Sequence, residues 1–133
     1  MRACTRQIAH TADVMITIHA DTLDELFAEA ARFIARYAGP PAGDPDYPVD
    51  LRLDASDTAT LLADWLNELL ARSEIACAAL APYAVTVAGS TLTARMRATP
   101  LREWRCPLKA ATYHDLRLER RNGRWRAQVL CDA

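Results

Sequence analysis

Residues 61–98 read LLADWLNELLARSEIACAALAPYAVTVAGSTLTARMRA, and the hydrophobic period changes inside them. Leu61, Leu62, Trp65, Leu66, Leu69 and Leu70 recur at the three-and-four spacing of a helix with one buried stripe. Ser56 and Asp57 precede it as candidate N-caps. After Pro82 the period falls to two. Tyr83, Val85 and Val87 lead to Gly89-Ser90, and Leu92, Ala94, Met96 and Ala98 return as the second arm of an antiparallel hairpin. A helix that hands over directly to a hairpin places the chain among α+β domains.

The flanks extend this pattern. Upstream, Val14, Ile16 and Ile18 alternate with Met15, Thr17 and His19, as in a half-buried strand. Thr22-Leu23-Asp24-Glu25 is a capping box for a helix with Leu23, Leu26, Phe27, Ala30, Ile34 and Tyr37 on one face, and Gly39-Pro40-Pro41 stops it. Residues 39–48 hold four prolines and two glycines and read as a loop, followed by a strand through Val49, Leu51 and Leu53. Downstream, a strand is expected over Leu108 to Tyr113. Leu116 and Leu118 then enter an Asn122-Gly123 hairpin closed by Trp125, Ala127, Val129 and Cys131. The predicted order is strand, helix, strand, helix, then about five strands. This describes an α+β domain with two helices on one face of a mostly antiparallel sheet, and the twice-used strand-helix-strand unit suggests an internal duplication. At 133 residues and 14.7 kDa, one domain spanning 1–133 is expected.

Composition narrows the function. Net charge is -1, which argues against a generic polyanion binder. No run of 18 apolar residues exists, and the first ten residues lack an apolar signal core, so a soluble, cytoplasmic protein with no membrane partner is expected. Cys4, Cys77, Cys106 and Cys131 lie one per region without C-x-x-C spacing, as small buried thiols rather than zinc ligands or a redox pair. Charge is uneven: residues 1–90 carry six basic and thirteen acidic side chains, residues 91–126 ten basic and three acidic. The arginines of the last hairpin (117, 120, 121, 124 and 126) form either a solvated face or an end suited to an acidic protein or RNA.

Several residues carry chemistry. Asp13 opens the first strand and Asp132 ends the last. If those strands are neighbours, both carboxylates and the α-carboxylate of Ala133 meet at one sheet edge, and hard oxygen donors favour Ca²⁺ or Mg²⁺ over zinc. Asp64 and Glu68 sit four apart on the second helix, flanking Trp65 and Asn67, as its wet shoulder or as an acid or metal-binding pair. Trp65 belongs to the buried stripe, whereas the two acids fall at its accessible edge. His114 is either a general acid-base group or an exposed strand-end histidine. Lys109 is the single lysine beside fifteen arginines, marking a position where a compact ammonium is needed, or an accident of coding. No Ser-His-Asp order, Gly-rich phosphate loop or H-E-x-x-H is present.

Four blocks together resemble the archease family: His10-Thr11-Ala12-Asp13, Asp64-Trp65-Leu66-Asn67-Glu68-Leu69-Leu70, Lys109-Ala110-Ala111-Thr112-Tyr113-His114, and Val129-Leu130-Cys131-Asp132-Ala133. The resemblance spans nearly the whole chain and implies a non-enzymatic activator of an RtcB-type, GTP-dependent RNA ligase in tRNA splicing or RNA repair. Such an activator promotes guanylylation of the ligase and multiple turnover, and reaches RNA only through the ligase. The resemblance further implies a divalent cation, Ca²⁺ before Mg²⁺ or Mn²⁺, held by Asp13, Asp132 and Ala133. It also places Lys109, with Asp64, Glu68 and His114, in the activating surface. Three features depart from the family pattern: Met15 replaces a small residue, Ala133 stands where a larger apolar residue is usual, and the loop from Ala38 to Tyr47 is Pro-rich. The alternative is a small metal-dependent phosphohydrolase using Asp13 and Asp132 for the ion and Lys109 or His114 for proton transfer. A bare RNA-binding domain is a third reading.

Overall fold

The structure, a computed structural model, describes residues 12–133. His10 and Thr11 of the first block, and Cys4, lie outside the described residues. Nine elements follow in order: β1 (Asp13–Ala20), α1 (Leu23–Arg36), β2 (Tyr47–Asp54), α2 (Thr58–Ala76), β3 (Ala78–Ala88), β4 (Thr91–Pro100), β5 (Ala110–Ala111), β6 (Arg117–Arg121) and β7 (Arg124–Asp132). The α+β architecture and the five strands after the second helix match the sequence reading.

Both helices begin at side-chain caps. Thr22 Oγ1 accepts the Glu25 N–H at 3.1 Å, and Asp57 Oδ1 accepts the Thr60 N–H at 2.7 Å. The capping box at Thr22 is half-formed: the Glu25 carboxylate reaches Arg32 at 2.8 Å instead of turning back to the cap. The α2 helix ends at Cys77 in the left-handed conformation (φ 49°), and the chain passes straight into β3. Strand β3 therefore starts before Pro82, earlier than the alternation suggests, because Ala78 to Ala81 offer little contrast between faces. Tyr47 and Pro48 likewise belong to β2 rather than to the preceding loop.

The expected single sheet is two. One has the order β2-β4-β3; in the other β7 is central, with β1 on one edge and both β5 and β6 on the other. Every ladder is antiparallel. A strand has two edges, and β4 and β7 each use both, so neither sheet joins the other through its centre. The strand expected over 108–113 is shorter than its pattern suggests: only Ala110 and Ala111 form it, opposite Asp132 and Cys131, on the edge of β7 that β6 takes from Arg124 to Gln128. The two strand-helix-strand units are not equivalent in the fold, since β1 lies in one sheet and β2 and β3 in the other.

One contiguous apolar core joins both sheets to both helices. Trp65 lies at its centre, fully buried, and its indole N–H donates to the Phe27 carbonyl at 2.9 Å, tying α2 to α1. No helix among the described residues is long and apolar enough to cross a membrane.

Candidate functional site

The pairing of β1 with β7 sets Asp13 directly opposite Asp132. Directly opposed residues project to the same face, and here it is the outer one, because Ile16, Ile18, Val129 and Cys131 take the inner face. The Ala133 N–H donates to the Ala12 carbonyl at 3.0 Å, which holds the two strand ends together beyond the carboxylates. Like charges directly opposed destabilise an antiparallel pair. Neither carboxylate has an ion pair among the described residues. A divalent cation would relieve that repulsion, and an all-oxygen donor set suits Ca²⁺ or Mg²⁺. Among the described residues no cluster of three or more His, Cys, Asp or Glu side chains could hold a metal. A cation here would therefore need a backbone oxygen, such as that of Ala133, beside the two carboxylates.

The other blocks meet the same sheet end. The Lys109 N–H donates to the Asp132 carbonyl at 2.8 Å, and Ala110 is the register partner of Asp132. The Thr112 N–H and hydroxyl both donate to the Leu130 carbonyl at 2.9 Å. That leaves the peptide groups of Ala111 pointing away from β7, towards α2. There the Asn67 side chain takes both: its Oδ1 accepts the Ala111 N–H at 2.7 Å, and its Nδ2 donates to the Ala111 carbonyl at 3.0 Å. One amide thus substitutes for a missing neighbouring strand. The Tyr113 hydroxyl donates to the Asp64 carboxylate, which raises the phenol's pKa above its ordinary value.

The remaining candidates separate by exposure. Lys109 is exposed and has no ion pair among the described residues, so it pairs with neither Asp64 nor Glu68. Asp64 is occupied by Tyr113, and Glu68 pairs with Arg72 at 2.6 Å. Both acids are half-buried, less accessible than their place on the helix edge suggests. His114 is exposed, with Nε2 3.5 Å from Asp115. Beneath the rim Cys131 is buried, and its thiol is pushed up to about 11 by burial, by the Asp132 carboxylate and by Cys106. Cys77, Cys106 and Cys131 are free thiols. The final hairpin is partly engaged: Arg120 stacks 5.8 Å over Trp125, Arg121 reaches Glu119 at 3.6 Å and Arg124 reaches Asp21 at 3.0 Å.

The structure brings Asp13, Asp132, Ala133 and Lys109 to one strand end, with His114 beyond Thr112 on the chain that follows. Asp64 and Glu68 approach only from the α2 side. Sequence reasoning placed Asn67 beside the acids without giving it a role.

Two helices packed on two antiparallel sheets, with Asp13, Asp132 and Lys109 at one strand end, define a small α+β domain class. The family model described as the Archease protein family (MTH1598/TM1083) matches residues 6–133, and the chain belongs to this family. A curated protein archease of Methanopyrus kandleri is 32% identical over 135 residues, covering 95% of this chain and 96% of its own. The Pyrococcus furiosus protein archease is 29% identical, with 92% and 94% covered. An archease from Thermotoga maritima, described as a possible chaperone, has the same fold, with a TM-score of 0.71 at 23% identity over 100% of both chains. Protein 1598 of Methanobacterium thermoautotrophicum aligns with a TM-score of 0.63 at 22% identity, covering 95% of this chain and 96% of its own.

Proposed function

We propose that this protein is a non-enzymatic activator of an RtcB-type, GTP-dependent RNA ligase, and that it acts with a divalent cation bound. In this reading it promotes guanylylation of the ligase and its repeated turnover. The observation that carries the reading is the hydrogen bonding of three separated blocks into one exposed rim. The described part of the first block, Ala12-Asp13, pairs with Asp132-Ala133, and Lys109 bonds to Asp132. The α2 block holds Ala111 and Tyr113. Family membership supports the same assignment.

The chain's own residues suggest how such a rim would act. Lys109 offers a point charge able to approach a phosphoryl oxygen closely. Ala110 and Ala111 beside it are small, so a partner surface can close over the ammonium. Asn67 and Thr112 position this strand without touching the partner. A bound cation would supply charge neutralisation at the opposed carboxylates. The test is a ligation assay with a cognate RtcB-type ligase, GTP and RNA carrying 3′-phosphate and 5′-hydroxyl ends. Ligase guanylylation and turnover should rise when this protein is added. No stimulation would overturn the proposal, and phosphate release by this protein alone would favour the phosphohydrolase reading.

A further inference from the structure

Four of the five strands that border a sheet are guarded against pairing with another chain. Strand β2 carries Pro48 with Asp50, Arg52 and Asp54. Strand β3 is covered by α1, whose Asp24 carboxylate takes the Val87 N–H at 2.8 Å, and it is interrupted by Pro82 and a register shift before Ala84. Strand β5 is two residues long and capped by Asn67. Strand β6 is short and carries Arg117, Glu119, Arg120 and Arg121. Strand β1 is the exception: DVMITIHA runs for eight residues without Lys, Arg or Pro, with Val14 and Met15 exposed at 38% and 43%. Its ladder to β7 is bonded at Ala12 and Ala133, so by antiparallel alternation the even-numbered residues face β7. The peptide groups of Asp13, Met15, Thr17 and His19 point to the outer edge, where no described strand pairs with them. A groove of about 760 Å³ runs along this edge beside α1.

From this edge we infer that β1 pairs with β1 of a second copy of this chain, antiparallel, joining two four-stranded sheets into one. With no cation on Asp13 and Asp132, the charge pattern selects that occupant. On the outer face the β1–β7 ribbon is negative at one end, where Asp13 faces Asp132, and basic at the other, where His19 faces Arg126. A two-fold axis at Ile16 sets Asp13 opposite His19 of the other copy and Met15 opposite its Thr17. The row across the interface then reads Asp132, Asp13, His19, Arg126. The pattern is self-complementary, as a two-fold interface requires. A basic peptide fits the groove less well, because its acids are already paired: Asp21 with Arg124 at 3.0 Å, and Glu25 and Glu29 with Arg32 at 2.8 and 3.1 Å.

The test is sedimentation of the full chain across a concentration series, with hydrogen exchange at the amides of Met15, Thr17 and His19. The mass should rise from 14.7 kDa towards twice that value, and protection of the three amides should rise with it. Thr17→Pro removes an N–H that faces away from β7, so it should leave the melting temperature nearly unchanged while weakening association at least tenfold. His19→Glu places like charges opposite Asp13 and should weaken association similarly. Both variants spare Asp13, Asp132 and Lys109, so a failed ligase assay and a failed dimer are separate results. A monomer at every concentration overturns the inference, as does association that ignores both variants. Amides protected equally at all dilutions would show that the chain covers its own edge, and would overturn it too.

Discussion

Lys109 is held by its backbone and leaves its side chain free: the N–H is bonded to the Asp132 carbonyl while the ammonium stays exposed. A substitution there should separate fold from activity. Lys109→Arg is expected to keep the melting temperature and cation binding, and to cut activation of ligase guanylylation sharply, because the guanidinium fork is longer and broader than an ammonium. Full activation by this variant, read as ligase-GMP formed, would reduce the lone lysine to a coding accident. Trp65 tests the opposite kind of residue. Trp65→Ala opens a cavity and removes the indole bond to the Phe27 carbonyl, so urea titration should show a loss of about 3 to 5 kcal/mol. A variant as stable as the parent would refute its place in the core. Trp65 was readable from the stripe it shares with Leu61, Leu62 and Leu66. The partner of Asp64 was not, since it meets a tyrosine 49 positions away.

Elements were legible where a period or a turn residue fixes them. The β6–β7 hairpin is announced by Asn122-Gly123, both in the left-handed region at φ 51° and 78°. The caps of both helices stand in the sequence as Thr22 and Asp57. The extent of β5 was hidden, because its outer side is bonded by a side chain from another element. Local pattern does not carry that. That dependence is itself testable. Asn67→Ala leaves two peptide groups of Ala111 without partners, at roughly 1 to 3 kcal/mol each. The variant should be less stable, and exchange at the Ala111 amide should rise far more than at β4 amides. Uniform exchange throughout would show that Asn67 does not hold β5.

The whole molecule closes on its first and last strands, and the candidate cation site exists only because β1 and β7 are neighbours. Calorimetry with Ca²⁺ should show binding to the parent protein and none to Asp13→Ala. Equal heats from both would remove the site. The neighbourhood of Asp13 and Asp132 was readable as a condition, since both stand at strand ends, but the sequence could not state which strands pair. The central position of β7 has a consequence during synthesis. Asp21 and Arg124, which pair across β1 and β7, are 103 positions apart, and a ribosome adding about 5–20 residues per second leaves roughly 5 to 20 s between them. Throughout that interval β1 has no strand to join, and, unguarded, it is open along both edges. The nascent chain therefore carries its stickiest segment longest, so yield from a fast-translating host should depend more on elongation rate and holding chaperones than on the stability of the finished fold.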